Sequence, residues 1–409
     1  MNYPDALKWL YGTQLHGIKL GLGHIRQLLA ALEWSGAAQR FLHVAGTNGK
    51  GSVCAMLDSM CRAAGLRTGL FTSPHLVIFR ERIRLDGAMI SENAVAQGLT
   101  RIREIVGNWQ THPTFFEITT ALALDFFQRE KADVVVLETG MGGRLDSTNV
   151  VTPRASVLTE IGLDHQAWLG QTLREIAAEK AGIIKPGVPV VAMAQRAEAG
   201  EVILETALRL EAELQFVRRP LFGCQIALAG SHQKLNAALA VGALRAAKIK
   251  IQDDAVRAGL SQVAWPGRFQ TINNQQSAIG NEIVLDGAHN PAAAARLAQT
   301  WCEVFPSERA TVIVGILADK DSAGICAALE PIAARFIAAP VKSERTSRAE
   351  DVCRAVKNFE CTAADDLRAA LEIARGFPGK ILVTGSLFLV GEALSLLGEA
   401  EGTPEMSAQ

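Results

Sequence analysis

The chain has 409 residues, with 41 Lys+Arg against 42 Asp+Glu and a formal net charge of -1, a balance that argues against a nucleic-acid binder relying on a dense basic face. Hydrophobic residues make up 49% and charged residues 20%, which is ample for a core and excludes intrinsic disorder, and at roughly 100–200 residues per domain the length suits two or three domains. No apolar run approaches the ~18 residues that cross a bilayer, and Met1-Asn2-Tyr3-Pro4-Asp5 begins no secretory signal. The seven cysteines, an odd number with no Cys-x-x-Cys pair, read as reduced core thiols of a cytoplasmic protein.

Short apolar runs alternate with helical stretches along the chain, the pattern of a parallel α/β sheet. The expected strands are Arg40–Ala45, Leu70–Thr72, Asp133–Glu138, Ala155–Ile161, Val188–Met193, Ile283–Leu285, Thr311–Ile316, Arg335–Ala338 and Lys380–Thr384. Runs such as Val134-Val135-Val136-Leu137 are apolar at successive positions, which suits central strands covered by helices on both faces. Trp265-Pro266-Gly267 follows a helix-like stretch and opens a strand-like one. It divides the chain into a larger N-terminal P-loop ATPase domain, residues 1–265, and a smaller C-terminal Rossmann-like α/β domain, residues 266–409. A polar tail runs from Gly402 to Gln409.

The first strand leads into Gly46-Thr47-Asn48-Gly49-Lys50-Gly51-Ser52 and then into helix-like Val53-Cys54-Ala55-Met56-Leu57. Glycines let backbone N–H groups close around phosphate oxygens, and the following helix N-terminus adds a partial positive charge. Lys50 supplies a full charge, and the Ser52 hydroxyl suits the loop or a metal-bound phosphate. The general phosphate loop wants a glycine where Val44 stands, so this is a compact Gly-x-x-Gly-Lys-Gly-Ser variant. A nicotinamide fingerprint fails: Gly140-Met141-Gly142 would need a glycine at Leu145, and Gly21-Leu22-Gly23 one at Arg26.

The string His43-Val44-Ala45-Gly46-Thr47-Asn48-Gly49-Lys50-Gly51-Ser52 resembles the phosphate loop of the dihydrofolate synthase/folylpolyglutamate synthase family, relatives of the Mur ligases. Further segments are similar in order and spacing: Thr72-Ser73-Pro74-His75-Leu76, the run from Leu137 to Asn149, Gly162-Leu163-Asp164-His165 and Glu179-Lys180-Ala181-Gly182-Ile183. His232-Gln233-x-x-Asn236-Ala237, Trp265-Pro266-Gly267-Arg268-Phe269 and Asp286-Gly287-Ala288-His289-Asn290-Pro291 complete the set, with family-like Gly385-Ser386-Leu387 near the end.

The resemblance implies an ATP-dependent ligase that adds L-glutamate to dihydropteroate, and to reduced folate, through an acyl phosphate. Such chemistry needs positioning, charge neutralisation and Mg²⁺ on hard oxygen ligands. By resemblance Ser73 and Glu138 hold one Mg²⁺, and His165 with a CO₂-derived carbamate on Lys180 a second. An unmodified ammonium beside a divalent cation would be repelled, whereas a carbamate is a long-reach carboxylate. Asn236, Arg268, Asp286 and His289 complete the ATP contacts. Thr114-Phe115-Phe116-Glu117 and Leu145-Asp146-Ser147 resemble the dihydropteroate-binding segments, although the two phenylalanines also suit a helix core. The resemblance further implies a cytoplasmic monomer whose partners are small molecules, with no nucleic acid or membrane. Lys320, in Asp319-Lys320-Asp321, is the candidate for the glutamate pocket on the second domain. The alternatives are a Mur-type ligase on a UDP-muramyl substrate and a non-catalytic nucleotide-binding relative. The first is disfavoured because Ser73-Pro74-His75-Leu76 and Phe115-Phe116-Glu117 resemble folate members, and because the short stretch before the phosphate loop is not expected to hold a UDP-binding domain; intact Lys50, Glu138, His165 and Lys180 argue against the second.

Overall fold

The computed structural model describes residues 1–17, 21–272, 282–400, 402 and 405. Its strands are β1 (Arg40–Ala45), β2 (Thr68–Phe71), β3 (Ile83–Leu85), β4 (Ala88–Met89), β5 (Val134–Glu138), β6 (Ala155–Leu158), β7 (Val190–Met193), β8 (Leu214–Val217), β9 (Gln270–Ile272), β10 (Ile283–Leu285), β11 (Ala310–Val314), β12 (Ala333–Ala338), β13 (Cys361–Ala363) and β14 (Lys380–Thr384). They form an eight-stranded sheet in the order β4-β3-β2-β5-β1-β6-β7-β8 and a six-stranded sheet in the order β13-β12-β11-β14-β10-β9. Pairing is parallel except at β2–β3, β3–β4 and β9–β10. The α/β class and the mostly parallel first sheet thus follow the expectation from sequence. The strands not expected, β3, β4, β8, β9 and β13, are short and mostly peripheral, and they lack the continuous apolar run that marks a buried parallel strand.

β1 lies between β5 and β6, with Val44 opposite Glu138 and Ala45 opposite Leu158. Every residue of β5 is buried. The carboxyl ends of these three strands therefore open onto one edge, where a parallel sheet places its ligands. The helix Lys50–Ala63 begins three residues earlier than the helix-like run in the sequence suggests. It packs tightly on the helix Asp253–Gln262: a methyl group on Gly259 would lie 2.6 Å from the Met60 Cα, and Ser59 Oγ donates to the Gly259 carbonyl at 2.7 Å. That contact seats the phosphate-loop helix from the solvent side.

The cysteine reading needs a correction. Cys353 and Cys361 form a disulfide, with Cα atoms 5.2 Å apart, so not all seven are reduced thiols, and Cys302 is exposed rather than in the core. The pairing arises because the helix Ala349–Ala355 packs beside the edge strand β13, a proximity that spacing alone does not reveal. Of the polar tail, only residues 402 and 405 are among those described. Glu405 accepts from the Tyr3 hydroxyl at 3.1 Å and from the Phe79 N–H at 2.6 Å. Among the described residues no helix is long and apolar enough to cross a membrane.

The two sheets meet over the segment after β2. A methyl group on Gly391, in the helix Leu387–Leu396 beside the second sheet, would sit 1.9 Å from the Leu76 carbonyl oxygen. Gly391→Ala is therefore expected to push that helix away from Leu76 and lower stability by about 1–3 kcal/mol, the usual range for overpacking, read as a drop in urea midpoint at unchanged m-value.

Candidate active site

A cleft lies between the carboxyl edges of the two sheets. On one side is the phosphate loop. Gly46 has φ +154 and a side chain there would strike Thr159 Oγ1 at 1.8 Å; Gly49 has φ +86 and sits against Asn236. These two positions require glycine. Thr47 and Asn48 donate their N–H groups to the Glu160 carbonyl at 2.8 and 3.2 Å, which ties the loop to the end of β6. The helix N-terminus begins at Lys50 and points its free N–H groups and partial positive charge into the cleft.

Two lysines converge on this loop. Lys50 Nζ donates to the carbonyls of Gly46 and Thr47 at 3.2 and 3.3 Å. Lys180, on the helix Leu173–Ala181, donates to the same Gly46 carbonyl at 2.8 Å. It is 4% exposed, and burial, reinforced by the charge of Lys50, lowers its pKa to about 7. Glu138 closes β5 and accepts from the Ser73 N–H at 3.1 Å. Burial pushes its carboxyl pKa up, while Lys50 and the Ser73 N–H oppose the rise. Ser73 Oγ is buried with no hydrogen-bond partner, and a cis peptide joins Ser73 to Pro74. An orphaned hydroxyl beside a buried carboxylate is a polar pair awaiting a ligand. It fits a hard cation, whose ligands are oxygens. Among the described residues no group of three or more His, Cys, Asp or Glu side chains is arranged to hold a metal ion by itself, so nucleotide and water oxygens would fill the rest of its shell.

The second sheet supplies the opposite wall. Asp286, just past β10, accepts from the N–H groups of Phe269 and Ala288, both at 2.9 Å. Its carboxylate thus organises the turns that carry Arg268 and His289, which the expectation of an ATP contact leaves out. Asn236 donates to Gln233 Oε1 at 2.9 Å and lies under Gly49. Asp164, from the first sheet, is the meeting point. Lys320 Nζ approaches it at 2.5 Å, His289 Nε2 at 3.7 Å and His165 Nε2 at 3.9 Å. Burial alone would raise the Asp164 carboxyl, but His289, His165 and Lys320 together hold it far below the usual carboxylate range. His165 is kept neutral, its pKa lowered to about 4 chiefly by burial and by the nearby lysines, against the pull of Asp164. It adopts the left-handed conformation at φ 51, a strained choice for a non-glycine residue.

The structure brings together Gly46, Thr47, Asn48, Gly49, Lys50, Gly51, Ser52, Ser73, Glu138, His165, Lys180, Asn236, Arg268, Asp286 and His289 around the cleft. It does not place Thr114, Phe115, Phe116, Glu117, Leu145, Asp146 or Ser147 on the cleft surface. Phe115 is core, stacked on Tyr11 with centroids 5.8 Å apart. Phe116 backs Gly140, where a methyl would lie 2.6 Å from its ring. Thr114 and Glu117 form a reciprocal helix cap, Glu117 accepting from the Thr114 N–H at 2.8 Å. Asp146 accepts from Met141 N–H at 2.9 Å and so holds the loop that forms the wall. Sequence reasoning passed over Glu160, Arg296 and Thr300, which also line the cleft. Asp164 stood inside a family-like segment, yet only its neighbour His165 was given a role.

Residues 44–206 match the Mur ligase middle domain and residues 267–387 the Mur ligase glutamate ligase domain. The dihydrofolate synthase/folylpolyglutamate synthase of Bacillus subtilis is 37% identical, over 95% of this chain and 98% of its own. The chain belongs to the dihydrofolate synthase/folylpolyglutamate synthase family. The Escherichia coli member is 34% identical over 95% of this chain and 94% of its own. Among solved structures, E. coli FolC in complex with DHPP and ADP has a TM-score of 0.86 at 32% identity, with 96% of this chain and 97% of that one covered. The bifunctional synthase of Yersinia pestis complexed with AMPPNP and Mn ion has a TM-score of 0.88 at 31% identity, covering 97% and 98%.

Removing one partner of a buried ion pair strands the other, at a cost of about 3–5 kcal/mol. Two histidines still face Asp164, so Lys320→Met is expected to lose stability near the lower end of that range in urea unfolding. Asp164→Asn/Lys320→Met should recover most of the loss.

Proposed function

We propose that the chain is an ATP-dependent ligase that joins L-glutamate to dihydropteroate, giving dihydrofolate, and adds glutamate to reduced folates, releasing ADP and phosphate. One observation carries this reading: a phosphate loop, two lysines and a buried Ser73–Glu138 pair face Arg268 and His289 across a cleft between a Mur ligase middle domain and a glutamate ligase domain. The loop N–H groups and Lys50 cradle the ATP phosphates. The acceptor carboxylate takes the terminal phosphoryl group, the glutamate amine attacks the acyl phosphate, and phosphate leaves. Arg268, on the second sheet's side, neutralises charge on the phosphate. The family resemblance assigns Thr114, Phe115, Phe116, Glu117, Leu145, Asp146 and Ser147 to the dihydropteroate side; Phe116 backs the Gly140 wall there, and Asp146 holds its loop through the Met141 N–H. The reading places the enzyme in the cytoplasm as a monomer, on the strength of the family resemblance.

Ser73 and Glu138 would hold one Mg²⁺, and His165 with a Lys180 carbamate the other. Bound there, the ions would neutralise the triphosphate and polarise its terminal phosphorus. An amine whose pKa falls to about 7 is partly neutral at neutral pH, and the neutral form is the one that captures CO₂.

The test is product analysis with ATP, Mg²⁺ and glutamate, run side by side on dihydropteroate and a reduced folate monoglutamate. ADP release strictly dependent on acceptor and glutamate is expected. Release without either, or only with a UDP-linked acceptor, would overturn the reading. Lys50→Ala should fold normally yet lose about 3–4 kcal/mol of transition-state stabilisation, roughly a 10²–10³-fold fall in kcat.

The carbamate has its own readout. With ¹³C-labelled bicarbonate, a carbamate carbon resonance should appear in the wild type and vanish in Lys180→Ala. That variant should lose ~3 kcal/mol, about a hundredfold in rate, with partial rescue by short-chain carboxylic acids. A labelled signal that survives the substitution rules the carbamate out at this position.

A further inference from the structure

β1 carries a residue that neither packing nor the reaction scheme accounts for. His43 lies between Leu42 and Val44, is 0% exposed and precedes Gly46 by three positions. A leucine or valine would suit a central strand better, because a buried imidazole must find hydrogen-bond partners. His43 finds one. Its Nε2 lies 2.7 Å from Thr148 Oγ1, while its Nδ1 is buried without a partner.

The direction of this bond follows from the next one. Thr148 Oγ1 donates to Asp146 Oδ1 at 2.5 Å, and a hydroxyl has one proton. The imidazole must therefore donate, as the Nε2–H tautomer, and Nδ1 carries the lone pair. Burial, and then the charge of Lys185, lowers the His43 pKa to about 3, so the ring stays neutral around neutral pH. Asp146 is in turn saturated by the loop: the Thr148 N–H donates to Oδ1 at 3.0 Å and the Met141 N–H to Oδ2 at 2.9 Å. Met141 and its neighbours Gly140 and Gly142 line the cleft.

We propose that His43 is a positioning residue: through Thr148 and Asp146 it fixes the Gly140–Gly142 wall relative to the strand that carries the phosphate loop. The wall has little freedom of its own. A methyl group on Gly143 would lie 2.8 Å from the Glu179 carbonyl and 2.9 Å from that of Lys180, and the Arg144 N–H donates to the Glu179 carbonyl at 2.7 Å. The loop is thus clamped between β1 on one side and the Lys180 helix on the other. Loss of the His43 clamp lets the wall drift without touching the phosphate loop's own contacts to Glu160 and Lys50. The kinetic consequence rests on the ligase reading above; the structural one does not.

The test uses His43→Leu, His43→Gln and Thr148→Val in the full chain. Hydrogen exchange of peptides spanning residues 139–146 reports the wall directly. A neutral hydrogen bond contributes about 0.5–1.5 kcal/mol, so His43→Leu should accelerate exchange there about threefold to tenfold. The KM for dihydropteroate should rise by a similar factor while the KM for ATP stays within about twofold. His43→Gln, whose amide N–H can reach the Nε2 position, should restore both. Thr148→Val, which removes the bond to Asp146 as well as the one from His43, should accelerate exchange at least as much as His43→Leu, and the double variant should be no worse than Thr148→Val alone, since they act in one chain. Unchanged exchange in residues 139–146, or an ATP KM that rises in step with the acceptor KM, would overturn the proposal. If His43→Leu does not fold, His43→Phe, which fills the ring's space without its N–H, decides instead. If the wild type ligates no folate acceptor, the ligase reading fails, while the exchange experiment still decides the relay.

Discussion

The structure depends on keeping charge desolvated at the junction of two sheets. Asp164 is the clearest case: a carboxylate 9% exposed in its side chain meets a lysine 8% exposed from the other sheet. A pair so buried contributes less net stability than its geometry suggests, because both ions have left water. Its effect is positional. A small shift that parted the ions while both stayed buried would leave two unpaired charges, so the pair disfavours slippage of one sheet relative to the other. His165 and His289, one from each side, face the same carboxylate, so the junction and the site share their atoms.

Lys180 shows the same constraint with the opposite sign. Burying an ammonium beside Lys50 lowers its pKa from the ordinary lysine value to about 7. The unfolded chain holds that proton up to ~10.4, so the folded state gains stability as pH rises from about 7 toward 10.5 and is penalised below it. The fold therefore tolerates an unfavourable cation at neutral pH. Such sites are where local cost signals function, and the cost disappears if the amine becomes an anion facing a metal.

Much of this was legible in the sequence, for identifiable reasons. The phosphate loop was visible because glycine at Gly46 and Gly49 is a steric necessity, and necessity leaves a fixed pattern. Central strands such as Val134–Glu138 were visible because burial on both faces demands apolar residues in succession. Edge strands such as β8, whose exposure alternates, carry no such demand. The acceptor-side segment was the least legible. Thr114-x-x-Glu117 spells a ligand-like carboxylate, but the same spelling is a helix capping box, and the structure uses it so. Likewise, Asp146 and Asp286 have the residue type of ligands and spend their lone pairs on backbone N–H groups. A sequence names the functional group; only the fold shows which donors reach it first.

A chain of net charge -1 can still suit a polyanionic nucleotide. Net charge governs long-range behaviour, not a site within a few ångströms. Around the cleft the carboxylates already have donors: Glu138 the Ser73 N–H, Asp286 two backbone N–H groups, and Asp164 a lysine. Lys50 instead points at backbone carbonyls of the phosphate loop, weak acceptors that a phosphate oxygen can displace. The acids are compensated locally and Lys50 is not, so a positive field remains where the helix N-terminus adds its own. Binding a triphosphate there exchanges neutral acceptors for charged ones without breaking any of the pairs that hold the two sheets together.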